Sequence, residues 1–120
     1  MANFTLLHNP RCSKSRQAVD YIRQTGLEVD IREYLKVPLN LEEIKTLFNA
    51  LNIDNAIDMI RTKEKEFKEA GLSKDSENQQ IFEAIAKYPK LLERPILSND
   101  KEAAIGRPLE NIAQCIAKTQ

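Results

Sequence analysis

The sequence has only two cysteines, Cys12 and Cys115, which lie near opposite ends of a chain of 120 residues. One distant pair is not the framework of several bridges that stabilises small secreted domains. The N-terminus also lacks a charged segment followed by a long apolar core, which is the pattern of a secretion signal. We therefore expect the protein to be cytoplasmic, where Cys12 stays a free thiol.

The chain has no excess charge of either sign, because 18 Lys and Arg residues are balanced by 18 Asp and Glu residues. This balance gives no support to a nucleic-acid or membrane-surface role. No apolar run approaches the roughly 20 residues of a membrane span. Internal repeats and low-complexity linkers are absent too. We expect one soluble domain over residues 1–120, a length that suits a single hydrophobic core.

The first third of the chain predicts a strand, a helix and a second strand. Residues 3–7 are an apolar strand candidate. Ser13 or Ser15 can cap the helix that follows, and Gly26 is placed to end it. Residues 28–34 alternate between polar and apolar side chains, which predicts a half-buried strand.

The middle of the chain, about 41–87, is helical in its pattern throughout. Asn40 is the candidate cap of its first helix and Asp54 of a short second one. Asp75 or Ser76 is placed to cap the last helix of this segment.

The last third predicts two strands and a closing helix. The strands cover residues 94–98 and 102–106, with a hairpin turn over 98–101 between them. Pro108 suits the first position of the closing helix, and Cys115 lies beside the apolar stripe of that helix, so we expect it in or near the core. The whole order predicts an α/β fold of the thioredoxin type: a four-stranded mixed sheet with a helical insertion after the second strand.

Cys12 occupies the point at which the first strand turns into the first helix. It lies in the segment His8-Asn9-Pro10-Arg11-Cys12-Ser13-Lys14-Ser15-Arg16. Unpaired N–H groups and the partial positive charge of a helix N-terminus favour both a thiolate and a bound oxyanion. The segment predicts a nucleophilic thiolate beside an anion site. The alternative is a buried structural cysteine in a short basic loop.

This segment resembles the active-site loop of the glutaredoxin-coupled arsenate reductases, the ArsC family. The resemblance covers nearly the whole chain and includes four further segments in family order. These are Tyr34-Leu35-Lys36-Val37-Pro38, Ile60-Arg61-Thr62-Lys63-Glu64, Glu93-Arg94-Pro95-Ile96 and Ile105-Gly106-Arg107-Pro108. Ser13-Lys14 stand where the best-studied resistance enzymes carry Gly-Thr.

The resemblance implies a role for individual residues. Cys12 corresponds to the nucleophile, and His8 to a residue that helps to hold its thiolate. Ser15 and Arg16 belong to the binding loop and the first helical turn around it. The residues that correspond to the three arginines of the oxyanion site are Arg61, Arg94 and Arg107. Pro95 corresponds to the cis proline of thioredoxin-like folds.

The resemblance also implies the reaction. The Cys12 thiolate attacks arsenate, glutathione acts as co-substrate, and glutaredoxin reduces the resulting mixed disulfide. Neither a bound cofactor nor a metal is expected. Ser15 stands where a C-x-x-C motif carries its second cysteine, which agrees with an external thiol as the resolving group.

Two other functions stay open at this point. A related branch of the fold, the Spx-like regulators, binds RNA polymerase and senses redox state, usually through a C-x-x-C switch. A monothiol oxidoreductase linked to glutathione would act on glutathionylated substrates and ignore arsenate. Guanidinium groups bind tetrahedral oxyanions in bidentate fashion, so the arginines favour the enzyme with an anion site.

Overall fold

Residues 4–99 and 101–119 are described by the structure, a computed structural model. In chain order the strands and helices are β1 (Phe4–Leu7), α1 (Ser13–Thr25), β2 (Val29–Arg32), α2 (Leu41–Leu51), a 3₁₀ helix (Ala56–Met59), α3 (Lys65–Glu69), α4 (Asn78–Lys87), a second 3₁₀ helix (Pro89–Leu91), β3 (Ile96–Ser98), β4 (Ala103–Ile105) and α5 (Glu110–Thr119).

The strands form one mixed sheet in the order β2-β1-β3-β4. β1 runs parallel to β2 and antiparallel to β3, and β3 runs antiparallel to β4. This confirms the predicted four-stranded mixed sheet of the thioredoxin type. Because β1 and β3 lie in the centre, the loops at their ends are held by both neighbouring strands, and these loops carry Cys12 and Arg94.

The sheet separates two hydrophobic clusters. Side chains alternate between the faces along β1: Leu6 packs in one cluster and Leu7 in the other. The Leu6 cluster joins α1 and α5 through Ile22 and Ile112. The Leu7 cluster contains the helices between β2 and β3. Cys115 lies in the cluster of α1 and α5 and is only 5% exposed, as its place in the sequence predicts.

The predicted start of α1 is wrong by one residue. Cys12 itself is the N-cap, with extended backbone, and no side chain caps the helix. Ser13 and Ser15 lie inside the first turn instead. The predicted end is confirmed, because Gly26 closes the helix with φ 76° and its N–H bonds to the carbonyl of Arg23.

β2 is shorter and less buried than its alternating pattern predicts. Ile31 is 40% exposed. The reason is its place in the sheet: β2 is an edge strand, so the layer of helices covers it only in part.

The segment between β2 and β3 is less continuously helical than predicted. Asn40 does cap α2, in a reciprocal box with Glu43. Asp54 is not a cap, because the 3₁₀ helix begins after Asn55. α4 is capped by Glu77 rather than by Asp75 or Ser76, since the Glu77 side chain accepts a backbone N–H of the first turn.

The C-terminal third differs from the prediction at Pro108. The proline does not open α5, which begins at Glu110; it follows a cis peptide bond from Arg107. The predicted hairpin turn over 98–101 includes Asp100, which lies outside the described residues. Within the described ranges, no helix is long and apolar enough to cross a bilayer.

Candidate active site

Cys12 lies at the junction of β1 and α1, where the backbone turns sharply. Its N–H donates to the carbonyl of Asn9 at 3.0 Å, and its carbonyl accepts the N–H of Arg16 at 3.0 Å, the first bond of α1. The thiol therefore faces the unpaired N–H groups of the first helical turn. No acidic residue lies in that turn to offset their positive potential.

These surroundings lower the pKa of Cys12. Partial burial acts in the opposite direction and raises it, but hydrogen bonds outweigh burial. The donors are the backbone N–H of Ser15, the side chain of Arg94 and the backbone N–H of Lys14. The positive charge of Arg94 adds to them. Cys12 is therefore more readily a thiolate near neutral pH than an ordinary cysteine.

A buried serine fixes the loop that carries this thiol. Ser15 is 0% exposed. Its Oγ accepts the N–H of Asn9 at 3.0 Å and lies 2.6 Å from Nδ1 of His8. Because the enclosed hydroxyl bonds to two residues of the loop, it holds the loop in shape.

The same contact joins His8 to the loop. Nδ1 of His8 and the Ser15 hydroxyl share one hydrogen bond, and the tautomer of the imidazole decides which of the two donates. Burial lowers the pKa of His8, the charge of Glu33 raises it, and the charges of Arg16 and Arg23 lower it, with a net decrease. The lowered pKa favours the neutral imidazole near pH 7, and the hydrogen bond ties His8 to the loop that carries Cys12.

Arg16 also acts on the loop. Its guanidinium is exposed, and Nη1 donates to the carbonyl of Pro10 at 2.9 Å. The Arg16 side chain therefore ties the first turn of α1 to the loop at Pro10.

Arg107 is a second arginine in contact with the thiol. Its Nη2 lies 3.4 Å from Sγ of Cys12. Its Nε donates to the carbonyl of Arg94 at 2.7 Å and lies 3.3 Å from Oε1 of Glu93. One guanidinium thus joins the helix start to the segment before β3.

Arg61 reaches the same cluster by a short antiparallel contact. The N–H of Arg61 donates to the carbonyl of Leu91 at 2.7 Å, and the N–H of Glu93 donates to the carbonyl of Met59 at 2.9 Å. This pairing brings Nε of Arg61 to 3.9 Å from Oε1 of Glu93, while its Nη1 lies 3.0 Å from Glu64. The three arginines predicted from the sequence therefore converge, and Glu93 connects two of them.

Two loops with cis peptide bonds hold Arg94 and Arg107. Pro95, the candidate cis proline, follows a cis bond, as does Pro108. The loops lie against each other, because the N–H of Gly106 donates to the carbonyl of Pro95 at 2.8 Å. A Cβ at Gly106 would lie 2.9 Å from Pro95 and 2.6 Å from Ile112, so only glycine permits this approach.

A cavity of about 410 Å³ opens beside Arg94 and residues 8–11 of the loop. Its lining includes His8, Tyr34, Glu64 and Arg94. The Tyr34 side chain is almost fully enclosed, and burial raises the pKa of its hydroxyl to about 12. The hydroxyl is therefore a hydrogen-bond donor at any physiological pH.

No role is predicted from the sequence for three residues of this site: Tyr34, Glu64 and Glu93. All three lie in segments that carry the family resemblance, and that was the available signal. Their roles follow from contacts between distant parts of the chain, which the order of residues does not show.

The arrangement suits chemistry between a thiolate and an anion. Guanidinium groups and helix N–H groups can neutralise a tetrahedral oxyanion while the thiolate approaches it, which would otherwise be opposed by like charge. Among residues 4–99 and 101–119, no group of three or more His, Cys, Asp or Glu side chains is placed to hold a metal ion.

Comparison with known proteins assigns the chain to a family. The family model described as "ArsC family" matches residues 7–115. An arsenate reductase of Neisseria meningitidis is 43% identical over 113 residues, which cover 93% of this chain and 97% of the relative. An arsenate reductase of Haemophilus influenzae is 34% identical, with coverage of 92% and 97%. The solved structure of an arsenate reductase from Vibrio cholerae superposes with a TM-score of 0.88 at 34% identity, over 93% of this chain and 96% of the other. The chain described here is a member of the ArsC family.

Proposed function

We propose that this protein is an arsenate reductase that depends on glutathione and glutaredoxin. The observation that carries the proposal is the contact of 3.4 Å between Arg107 and Sγ of Cys12, within a cluster that also holds Arg61 and Arg94. The relatives described as arsenate reductases support arsenate as the oxyanion. The dependence on glutathione rests on the chain itself, because Ser15 occupies the place of a resolving cysteine and is fully buried.

The first step joins Cys12 to arsenic. Arsenate enters the cavity, and the guanidinium groups of Arg94 and Arg107 bind its oxygens. The Cys12 thiolate attacks arsenic(V) and forms a sulfur–arsenic bond, and one arsenate oxygen leaves as water after protonation. The helix N–H groups that lower the pKa of Cys12 keep the nucleophile ready for this attack.

The second step transfers two electrons. The sulfur of glutathione bonds to the sulfur of Cys12 as the sulfur–arsenic bond breaks. The electron pair of that bond stays on arsenic, which goes from arsenic(V) to arsenic(III) and leaves as arsenite. The two sulfurs are oxidised to a mixed disulfide, which glutaredoxin reduces to restore the Cys12 thiol.

The test is arsenite formation by the purified protein with glutathione and glutaredoxin. We expect activity with both, and little turnover when either is omitted. Replacement of the pair by a thioredoxin system should not restore it, because the chain offers no internal disulfide at Cys12 for thioredoxin to reduce. Equal activity with thioredoxin alone would overturn the assignment of the reductant but not that of the substrate. Reduction of glutathionylated thiols without any arsenite would instead support the monothiol oxidoreductase.

A further inference from the structure

Two residues that line the cavity, Tyr34 and Arg94, each have a buried hydrogen-bond donor without a partner. The donors are the hydroxyl of Tyr34 and Nε of Arg94. In the described ranges, the only other buried side-chain nitrogen or oxygen without a hydrogen-bond partner is Oε1 of Glu66. A buried polar group without a partner costs free energy, so such groups are rare in folded proteins and call for an explanation. Two donors in one cavity indicate that an acceptor binds there.

Tyr34 is fixed in place by its ring rather than by its hydroxyl. The residue is 1% exposed and belongs to the cluster of Leu7 and Ile96. The charges that act most strongly on the hydroxyl belong to Arg94, Cys12, Glu93 and Glu64. These four residues belong to the candidate site, so the hydroxyl lies on the side of the core that faces this site.

We propose that the hydroxyl of Tyr34 donates a hydrogen bond to an oxygen of the oxyanion that Arg94 holds beside Cys12. This inference rests on the proposed function, because the oxyanion is the substrate of that reaction. One oxygen of a tetrahedral anion has lone pairs for more than one donor, so a single ligand atom can satisfy both Tyr34 and Nε of Arg94.

Binding requires a local rearrangement around the hydroxyl. The Tyr34 hydroxyl has almost no accessible surface in the free protein, so neighbouring side chains must move before an anion can reach it. Arg94 is only partly buried, whereas the Tyr34 ring is enclosed in the core. The tyrosine is therefore the fixed donor of the pair, and its position selects which anion oxygen is bound.

The substitution Tyr34→Phe separates this role from a purely structural one. It removes one oxygen and keeps the ring, so the core packing stays intact. Because the hydroxyl has no partner in the free protein, we expect the thermal midpoint of Tyr34→Phe to equal or exceed that of the parent. Affinity for the anion should fall about tenfold, which corresponds to about 1.4 kcal/mol.

The affinity is best measured by calorimetry with arsenate in a Cys12→Ser parent, where no reaction follows binding. Tyr21→Phe in the same parent is the matched control, since Tyr21 lies on α1 against the other cluster. We expect its affinity to equal that of the parent. Unchanged affinity in Tyr34→Phe, or a loss of affinity that accompanies an equal loss in Tyr21→Phe, would overturn the proposal.

A double-mutant cycle tests whether Tyr34 and Arg94 bind the same oxygen. If they do, the loss in Tyr34→Phe should be much smaller in an Arg94→Ala background than in the parent. Additive losses would show that the two donors act at separate places and would overturn the shared-oxygen geometry.

The outcomes also separate this inference from the proposed function. If wild-type protein produces arsenite and Tyr34→Phe has unchanged arsenate affinity and kcat/KM, the role of Tyr34 is wrong and the function stands. If the Cys12→Ser parent binds no arsenate and the wild-type protein forms no arsenite, both fail together.

Discussion

The two cysteines of this protein occupy different positions on the helices that carry them, and their surroundings differ. Cys12 is the N-cap of α1, whereas Cys115 lies in the interior of α5 and packs against α1. Burial raises the pKa of Cys115, with a further increase from Glu102 and a decrease from Lys118. Burial acts in the same direction at Cys12, but helix N–H groups and Arg94 reverse the result.

The comparison shows that burial does not decide which cysteine is reactive. Both thiols lose solvent, and both lose stabilisation of the thiolate by water. Only Cys12 regains stabilisation of its thiolate, because at the start of α1 the sulfur is close to N–H donors and to two guanidinium groups. The position on the helix and the long-range contacts therefore create the reactive site.

The largest effect is expected when the direct contact with Cys12 is removed. Arg107→Ala takes away the donor to Sγ and the link to the Arg94 carbonyl. We expect kcat/KM for arsenate to fall about 10²–10³-fold, as for the loss of one donor to a developing anion. Arg23→Ala, an exposed arginine at the far end of α1, is the control and should retain activity. Equal activity of the two variants would remove Arg107 from the site.

Alkylation compares the two thiols directly. With limiting iodoacetamide at pH 7, we expect Cys12 to react roughly tenfold faster than Cys115 or more, because each unit of pKa changes the thiolate fraction tenfold and Cys115 is also enclosed. Peptide mapping by mass spectrometry measures both sites in one sample. In denatured protein the difference should vanish. Faster labelling of Cys115 in the native protein would contradict the comparison.

The pH dependence of Cys12 should reveal the contribution of Arg94. A lowered thiol pKa means that the alkylation rate rises with pH through a midpoint below that of an ordinary cysteine and then levels off. Arg94→Ala removes a hydrogen bond and a positive charge that favour the thiolate, so its midpoint should move to higher pH. The Arg23→Ala profile serves as reference. A midpoint that is unchanged in Arg94→Ala would assign the shift to the helix N–H groups and Arg107 instead.

The smallest effect concerns the support of the loop. Ser15→Ala leaves the N–H of Asn9 without its acceptor and Nδ1 of His8 without its hydrogen-bond partner, so we expect a loss of about 1–3 kcal/mol in the free energy of unfolding. Ser13→Ala changes an exposed residue of the same helical turn and should stay within about 0.5 kcal/mol of wild type. Urea denaturation measures both. Ser15→Ala should also bring the alkylation rate of Cys12 closer to that of Cys115. If the Ser15→Ala protein were as stable as the Ser13→Ala protein, the supporting role of Ser15 would be contradicted.

The fold could be predicted from local patterns where these were strong. Gly26 ends α1, and Asn40 caps α2 as expected, because both signals act within a few residues. The cap of α1 was missed because a cysteine has no oxygen with which to cap a helix. The exposure of Ile31 was missed because it depends on the position of β2 at the edge of the sheet.

The thiolate at Cys12 could be predicted from its place between β1 and α1, whereas the three arginines could be predicted only through the family resemblance. The structure brings all four residues together. The contribution of Glu93 could not be predicted, because it comes from the pairing of residues 59–61 with 91–93. The predicted start of α5 at Pro108 is wrong. Proline is common at the first position of a helix, and the sequence does not show that the bond before Pro108 is cis.

The claim that Cys12, and not Cys115, reacts with arsenate is tested by arsenite formation in three proteins. Wild type, Cys12→Ser and Cys115→Ser are assayed side by side with arsenate, glutathione and glutaredoxin. We predict that Cys12→Ser forms no arsenite, while Cys115→Ser, if folded, retains the activity of wild type. Arsenite production by Cys12→Ser at the wild-type rate would contradict the role of Cys12.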